Sequence, residues 1–352
     1  MKIAIGTHIK KGPWGGGNSF AINLKNFLLE NGHEVVHKLN DDDIDVIIMT
    51  DPRKTSETSS INRTDIKRYL KYIKANTPVI HRINECDERR GTDYINSYYI
   101  DSNKIADATV FVSEWLKELY LNEGIENKDL YVVKAGANKK YFSKDILKPY
   151  IKSETLKIVT HHWGTNINKG FAVYEKIDDI LEFYGDKSFF SFTYIGNLPK
   201  KMKFKKIKHI NPINHDKVGN VLKKYNVYLT ASLNEPSGNH HIEALSCGLP
   251  ILFVKSGGTT EYCQNYGLEF SAENIEEKIK NIWENYSEYQ KKVKSYKYNS
   301  DDMCQQYLKI IQDTAININK INTSNKRTIF NEIISRIYKN YKSIVKFYDS
   351  KF

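Results

Sequence analysis

Apolar and polar positions alternate along the chain in a pattern that predicts short buried strands separated by amphipathic helices. In the first part of the chain, we predict strands at 2–5, 34–38, 45–49, 77–82, 108–113 and 130–134. A second series follows, with strands predicted at 154–163, 189–197, 205–212, 226–232 and 250–254. Helical stretches precede most of these strands, and this order is typical of doubly wound α/β domains, which bind ligands beyond the carboxyl ends of their strands. We therefore expect two such domains facing each other.

The domain limits follow from the same pattern. A first Rossmann-like domain is expected over residues 1–145 and a second over 150–320, joined by the weakly hydrophobic stretch 142–154. Residues 321–352 predict an amphipathic basic helix, because apolar side chains recur at three- and four-residue steps among many lysines. Two interpretations of this helix stay open: it lies on an anionic membrane surface, or its apolar stripe packs on the protein or on a second subunit.

Composition narrows the class of protein. The 352 residues carry a formal net charge of +11, which favours anionic partners such as nucleotides, nucleic acid or acidic membranes. The four cysteines are scattered without zinc-type spacing and indicate reduced thiols in a cytosolic protein. We find neither a signal peptide nor an apolar stretch of the ~20 residues that cross a bilayer. The lysine-rich segment 200–208 fits a nucleic-acid patch, or more commonly a solvated edge strand.

The segment EPSGNHHIEALSCGLP, residues 235–250, carries the strongest chemical signal. Glu235 follows a predicted strand, Gly238 and Asn239 begin a helix, and Glu243 falls a little over one turn into it. Carboxylates accept hydrogen bonds from sugar hydroxyls, and a helix N-terminus favours an anion such as phosphate. The alternatives are a metal site, an acid/base pair, or two solvated acids at a helix entry. Adjacent histidines on a helix point about 100° apart, which disfavours the metal site.

Three further places bring polar or flexible residues to predicted strand ends. Lys169 precedes Gly170 at a loop-to-helix junction, from where a lysine can reach a diphosphate. Gly15, Gly16 and Gly17 form a loop whose bare backbone can approach a phosphate or an acceptor, or serve as a plain turn. Residues 81–90 crowd another strand end. Within them Arg82 and Asn84 face a ligand, or Arg82 pairs with Glu85 or Asp87 as scaffold.

The stretch ASLNEPSGNHHIEALSCGLPILFVKSGGTTEY resembles the signature of retaining, nucleotide-sugar-dependent glycosyltransferases of the GT-B fold, family 4, also called group 1. The segments PVIHRINECDERR, VFVSEWLKE, VVKAGANKKYFS and HHWGTNINKG are similar to the same family, so that the resemblance extends to about residue 315. It implies two facing Rossmann-like domains, the first on the acceptor side and the second binding the nucleotide sugar.

The resemblance also implies residue roles. Glu243 matches the acid that holds the ribose hydroxyls, and Glu235 matches the acid that faces the donor sugar. Gly238, Asn239 and His240 fall in the turn along the sugar and diphosphate.

Other matches concern the phosphates and the acceptor. Lys169 matches the phosphate-binding lysine, and Asn84 falls near a sugar-contacting histidine of many relatives. Gly15 to Gly17 match the loop near phosphate and acceptor. Many relatives carry Gly-Arg where this chain reads His161-His162-Trp163-Gly164. Two alternatives stay open: one phosphate cation is missing, or histidine, with His162 as the candidate, replaces the arginine beside the diphosphate.

The function implied is a metal-independent, retaining hexosyltransferase without a cofactor, in the cytoplasm or peripherally at the inner face of the membrane. Its donor would be a UDP- or GDP-linked sugar, its acceptor a glycan, a lipid-linked glycan or another molecule, and its setting cell-surface polysaccharide synthesis. No nucleic-acid partner is expected. The alternatives are a catalytically weak nucleotide-sugar-binding subunit and a sugar-nucleotide epimerase of the same fold. A phosphorylase would need a pyridoxal lysine, for which we find no context.

Overall fold

The described residues form two parallel six-stranded sheets with flanking helices, which confirms the predicted fold class. The computed structural model describes residues 1–12, 15–126, 129–144 and 154–321. Most of the predicted linker, 145–153, lies outside these residues, as do residues 322–352 of the predicted basic helix. In the described part of the chain, no helix is both long enough and apolar enough to cross a bilayer.

The first sheet and its helices are built from the N-terminal residues. The strands are β1 (Lys2–Ile5), β2 (Glu34–Val36), β3 (Val46–Met49), β4 (Val79–Ile83), β5 (Ala108–Phe111) and β6 (Leu130–Val132). The helices are α1 (Gly16–Glu30), α2 (Arg63–Tyr72), α3 (Asp87–Arg90), α4 (Ile95–Asn103) and α5 (Glu114–Asn122). The strand order is β2-β1-β3-β4-β5-β6.

The second sheet repeats this plan. Its strands are β7 (Leu156–His162), β8 (Phe190–Gly196), β9 (Lys208–Ile210), β10 (Val227–Thr230), β11 (Ile251–Phe253) and β12 (Gly267–Glu269). The helices are α6 (Phe171–Tyr184), α7 (His215–Leu222), α8 (Asn239–Ser246), α9 (Thr259–Cys263), α10 (Ile275–Glu284), α11 (Tyr286–Lys294) and α12 (Ser300–Ile321). β12 is a strand that the pattern analysis missed.

The order of the second sheet, β12-β11-β10-β7-β8-β9, places β7 and β10 side by side where the winding reverses. Such a switch point opens a crevice at the carboxyl strand ends. His161 and His162 end β7, and Glu235 follows β10, so all three lie beside this crevice.

The last described helix returns to the first domain. Met303, Cys304, Tyr307 and Ile311 of α12 are buried in the same core cluster as Phe20 of α1 and the strands of the first sheet. The first domain is therefore completed by residues that follow the second. The sequence-derived limits 1–145 and 150–320 remain a proposal. The residues of α12 up to 320 fall in the second range, but the buried side chains of this helix pack in the core of the first domain.

The start of α1 differs from the prediction that Asn18 or Ser19 caps it. Gly15 is the N-cap residue, and no side chain bonds to the first N–H groups. Asn18 lies within the first turn, where its amide accepts a hydrogen bond from Lys10 N at 2.8 Å and donates one to Lys10 O at 2.9 Å. The capping prediction is wrong because this amide fixes the chain before the glycine loop. As a result, α1 presents an uncapped N-terminus.

Two residues of α9 hold the domains together. The carboxylate of Glu261 accepts hydrogen bonds from the backbone of Glu114 at 3.0 Å and Trp115 at 2.7 Å, at the start of α5. The hydroxyl of Tyr262 donates to Val112 O at 2.6 Å. These contacts set the width of the space between the domains.

Candidate active site

A cavity of about 330 Å³ between the domains brings together every residue that the sequence predicted for the site. Those residues are Glu235, Lys169, Asn84, Glu243, Gly238, Asn239, His240, Gly15, Gly16, Gly17, Arg82 and His162. A Cβ atom on Gly16 would lie 2.7 Å from Asn239 Oδ1, so the starts of α1 and α8 meet across the domains. A wider, open groove of about 940 Å³ beside α5 contains none of these residues.

Glu235 lies at the centre of the cavity and is 4% exposed. Its carboxylate pairs with Lys169 of the second domain and with Arg89 Nε of the first domain, the latter at 3.2 Å. Burial alone would raise the pKa of Glu235, but the charges of Lys169 and Arg89 outweigh it and hold the pKa well below its usual range. Glu235 is therefore ionised and pairs with two cations, of which Arg89 links it to the first domain.

The backbone of Glu235 is fixed by the glycine pair that follows β11. A Cβ on Gly257 would lie 2.7 Å from both Glu235 N and Glu235 O, and Gly258 N donates a hydrogen bond to Glu235 O at 2.8 Å. Only glycine allows this approach, since Gly257 also has a φ of +59°. The Gly-Gly element seen in the sequence thus positions the acid.

Arg89 belongs to a charged group that the sequence analysis did not identify. Its Nη1 lies 3.1 Å from Glu85 Oε1, and Arg90 Nε lies 2.7 Å from Glu85 Oε2. Asp87 instead accepts hydrogen bonds from the backbone at the start of α4, including Ile95 N at 2.9 Å. The order ECDERR does place Arg89 four residues after Glu85, which would have been the available signal.

Glu243 is held by two histidines. Its carboxylate accepts hydrogen bonds from His161 Nε2 at 2.9 Å and from His215 Nε2 at 3.0 Å. Burial raises the pKa of Glu243, but these two hydrogen bonds outweigh it and bring the pKa to about 2. Burial also opposes protonation of His215, yet the hydrogen bond and charge of Glu243 prevail and raise its pKa. His215 follows an edge strand and carries no motif, so the sequence does not predict its place in the site.

His162, His240 and His241 form a buried histidine cluster. The ring centroids of His162 and His240 are 4.7 Å apart, and those of His240 and His241 are 4.9 Å apart. Burial lowers the pKa of each, to about 4 for His241 and well below the usual value for the other two. His162 Nδ1 has no hydrogen-bond partner among the described residues. The cluster is thus neutral at pH 7.

The turn before α8 has the form that the sequence predicted. Gly238 is the N-cap of α8 with a φ of +69°, and no side chain caps the helix. Gly248, with a φ of +80°, ends it before Pro250 leads into β11. The N–H groups at the start of α8 consequently face the cavity beside Lys169.

Asn84 and Arg82 lie at the end of β4 on the first-domain wall. Asn84 is partly buried. Arg82 forms no ion pair with Glu85 or Asp87, so the scaffold interpretation of this arginine is wrong.

The metal alternative gains no support from the described residues. The described residues contain no group of three or more histidine, cysteine, aspartate or glutamate side chains that could hold a metal ion. All four cysteines are free and buried. Metal independence stays a prediction.

Residues 196–300 match the family model described as glycosyl transferases group 1. The matched segment contains Glu235, Glu243 and α8, so the family match covers the centre of the cavity. It confirms the resemblance seen in the sequence, at the level of the group. Among curated proteins, no sequence matches the chain.

Solved structures show the same fold over most of the chain. Sucrose-phosphate synthase from Thermosynechococcus elongatus is 14% identical with a TM-score of 0.63, covering 89% of this chain and 98% of its own. Anabaena HepE, solved with UDP and glucose, is 12% identical with a TM-score of 0.63, covering 89% and 100%. An α-glucosyltransferase, solved with UDP and DNA containing an HMU base, is 16% identical with a TM-score of 0.58, covering 89% and 99%. At these identities the likeness concerns the GT-B fold alone.

Proposed function

We propose that the protein transfers a sugar, with retention and without a metal ion, from a nucleotide-sugar donor to a hydroxyl group of an acceptor. The observation that carries this proposal is the meeting of Lys169, Arg89, Glu235 and the uncapped start of α8 in one cavity between the domains. Of these, Glu235 and α8 lie in the segment 196–300 that matches the group 1 family model. Two cations and a helix N-terminus can bind a diphosphate. A buried carboxylate beside them can accept hydrogen bonds from sugar hydroxyls.

Stabilisation of the leaving group is the chemistry that this arrangement supplies. The bond between the anomeric carbon and the phosphate oxygen breaks, the electron pair leaves with the diphosphate, and a new bond forms to the acceptor oxygen. The acceptor proton passes to the departing phosphate, as the family resemblance implies. Charge that grows on the diphosphate is met by Lys169, Arg89 and the α8 dipole without rearrangement of solvent.

The nucleotide is assigned to the second domain. Both oxygens of Glu243 already accept a hydrogen bond from a histidine, but each carboxylate oxygen has two lone pairs. A ribose hydroxyl can therefore bind Glu243 without displacing His161 or His215. Of the two nucleotides expected in the donor, UDP and GDP, we favour UDP, because solved structures of similar fold are complexes with UDP.

The proposal also covers the acceptor and the biological setting. The first domain takes the acceptor, a glycan or a lipid-linked glycan, in cell-surface polysaccharide synthesis. Supporting this assignment, the first-domain wall of the cavity is polar, with Thr7, Thr50, Asp51 and Tyr99 among its residues. We expect the enzyme in the cytoplasm or peripherally at the inner face of the membrane.

A second candidate function is a nucleotide-sugar-binding subunit with little turnover. One observation favours it: Glu235 already neutralises Lys169 and Arg89, so a diphosphate must compete with a buried carboxylate for these cations.

The test begins with calorimetric titration of the full chain with UDP and with GDP. UDP-glucose, UDP-N-acetylglucosamine and GDP-mannose then follow, with nucleotide release measured in the presence and absence of chelator. Release that survives the chelator supports the transferase. Tight nucleotide binding without release from any donor supports the binding subunit, and absence of nucleotide binding contradicts both.

A further inference from the structure

Arg82 is a buried guanidinium on the first-domain wall of the cavity. The residue is 4% exposed. Its guanidinium carbon lies 4.0 Å from the centroid of the Phe20 ring, and Phe20 packs at 4.9 Å against Tyr307 of α12. Arginine is rarely buried to this degree unless it is paired, because removing the charge from water is costly.

The other arginines of the cavity have carboxylate partners. Arg53 Nη2 lies 2.8 Å from Asp51, Arg89 Nη1 lies 3.1 Å from Glu85, and Arg90 Nε lies 2.7 Å from Glu85. In the described part of the chain, no carboxylate forms an ion pair with Arg82, and its Nε has no hydrogen-bond partner. The polar side chain that interacts with its guanidinium is the hydroxyl of Tyr307, which carries no counter-charge. The nearby acids are thus already occupied by other cations. Among the residues that the structure describes, Arg82 is the arginine of this cavity without a carboxylate partner.

A second set of donors faces the same space. α1 begins at Gly16 without a side-chain cap, and Gly16, Gly17 and Arg82 all line the cavity. The first N–H groups of a helix favour an anion, and a buried guanidinium strengthens that preference. Phe20, against which Arg82 stacks, is the fifth residue of the same helix, so both sets of donors belong to one corner of the first domain.

We propose that this corner, made by Arg82 and the N-terminus of α1, binds an anionic group of the acceptor, a phosphate or a carboxylate. The inference rests on the proposed function, which assigns the donor diphosphate to Lys169, Arg89 and α8 and the acceptor to the first domain. The enzyme would then act on acidic acceptors, such as sugar phosphates or uronic acids, in preference to neutral sugars.

Thermal unfolding of the full chain tests this without knowledge of the acceptor. The protein is held saturated with UDP, so that the donor side is filled, and inorganic phosphate, acetate or chloride is added at equal ionic strength. We expect phosphate or acetate, but not chloride, to raise the melting temperature of the wild type. The more effective of the two anions identifies the acceptor group as phosphate or carboxylate.

Substitution separates a binding role from a structural one. Arg82→Met keeps the length of the side chain and its contact with Phe20 but removes the charge. We expect this variant to be at least as stable as the wild type without anion, and its anion affinity to fall roughly tenfold or more. Arg68→Gln, which removes an exposed positive charge from the same domain, should keep the full anion effect.

Three results would overturn the inference. One is the absence of any anion-dependent shift in the wild type, and another is an equal shift in Arg82→Met. The third is a roughly tenfold loss of UDP affinity in Arg82→Met, which would assign Arg82 to the donor phosphates and leave the proposed transferase intact. Failure of the proposed function itself has a different signature, because the wild type would then not bind UDP in calorimetry.

Discussion

Glu243 is the residue whose ribose role is most directly testable. Its pKa of about 2 keeps it ionised at every working pH, and both of its oxygens already hold histidines. Glu243→Gln should weaken UDP binding roughly tenfold or more, because a charged hydrogen bond contributes about 1.5–3 kcal/mol. Calorimetry measures the change, with Glu284→Gln, an exposed acid of the same domain, as the control. Unaltered UDP affinity in Glu243→Gln would remove the ribose assignment.

Lys169 is the residue that we expect to act on the leaving group. Removing it takes away one of two cations at Glu235, while Arg89 keeps that carboxylate paired. Lys169→Ala should lower kcat by about 10²–10³ and change donor affinity far less, since charge on the diphosphate grows only as the sugar leaves. Steady-state kinetics with the active donor measures both constants, and the exposed Lys187→Ala serves as control. A rise in KM at constant kcat would make Lys169 a mere anchor.

At the scale of single elements, the turn before α8 depends on Gly238. Its φ of +69° is strained for other residues, and a Cβ there would lie 2.2 Å from Cε1 of His241. Gly238→Ala should lower the free energy of unfolding by roughly 2–4 kcal/mol through strain and clash together. Gly32 has a similar φ of +76° with open space around it, so Gly32→Ala measures the strain alone. Equal losses in urea unfolding would show that the clash with His241 is relieved at no cost.

The same elements show what sequence alone can predict. The α8 segment was predicted with its start, its end and both acids, because Gly238, Gly248 and Pro250 constrain the backbone locally. The cap of α1 was predicted wrongly, because the Asn18 amide is used in a contact with Lys10. β12 was missed because a three-residue strand is too short to carry a hydrophobic period.

The charged contacts of the cavity lay beyond prediction for a different reason. Arg89 and Glu235 are 146 positions apart in sequence, and only the closed arrangement of two domains brings them together. His215 reaches Glu243 from a separate helix in the same way. Local sequence patterns predicted the residues that line the cavity. The ion pairs and hydrogen bonds between those residues depend on tertiary structure.

For the molecule as a whole, the buried histidines make stability sensitive to acid. Burial lowers the pKa of His81, His162, His240 and His241, so these rings stay neutral in the folded protein while the unfolded chain binds protons near pH 6.5. Their stabilisation is present above pH 6.5 and is lost as the pH falls below it, at about 1.4 kcal/mol per pH unit for each group.

We therefore expect these four groups to lower the free energy of unfolding by roughly 7 kcal/mol between pH 7 and pH 5. His215 offsets part of this loss. Its pKa is raised in the folded protein, so it adds stability below pH 6.5 that is lost at higher pH. Urea unfolding at several pH values measures the slope. His241→Phe should make the decline shallower, and replacing the exposed His8 should leave it as it is. Equal stability at pH 7 and pH 5 would mean that these rings are hydrated in solution.

Because α12 packs on the first domain, the second domain can complete its fold on the ribosome before the first domain does. The second domain's core is formed by a continuous run of chain, from Ala135 to Tyr296, and can close as soon as that run has emerged. The first domain is synthesised earlier but lacks Tyr307 and Ile311 until long after Val133, the last earlier residue of its core cluster, has been added. During that interval the apolar side of α1 and its sheet that α12 later covers stays exposed to water. The half made first is thus the half that finishes last.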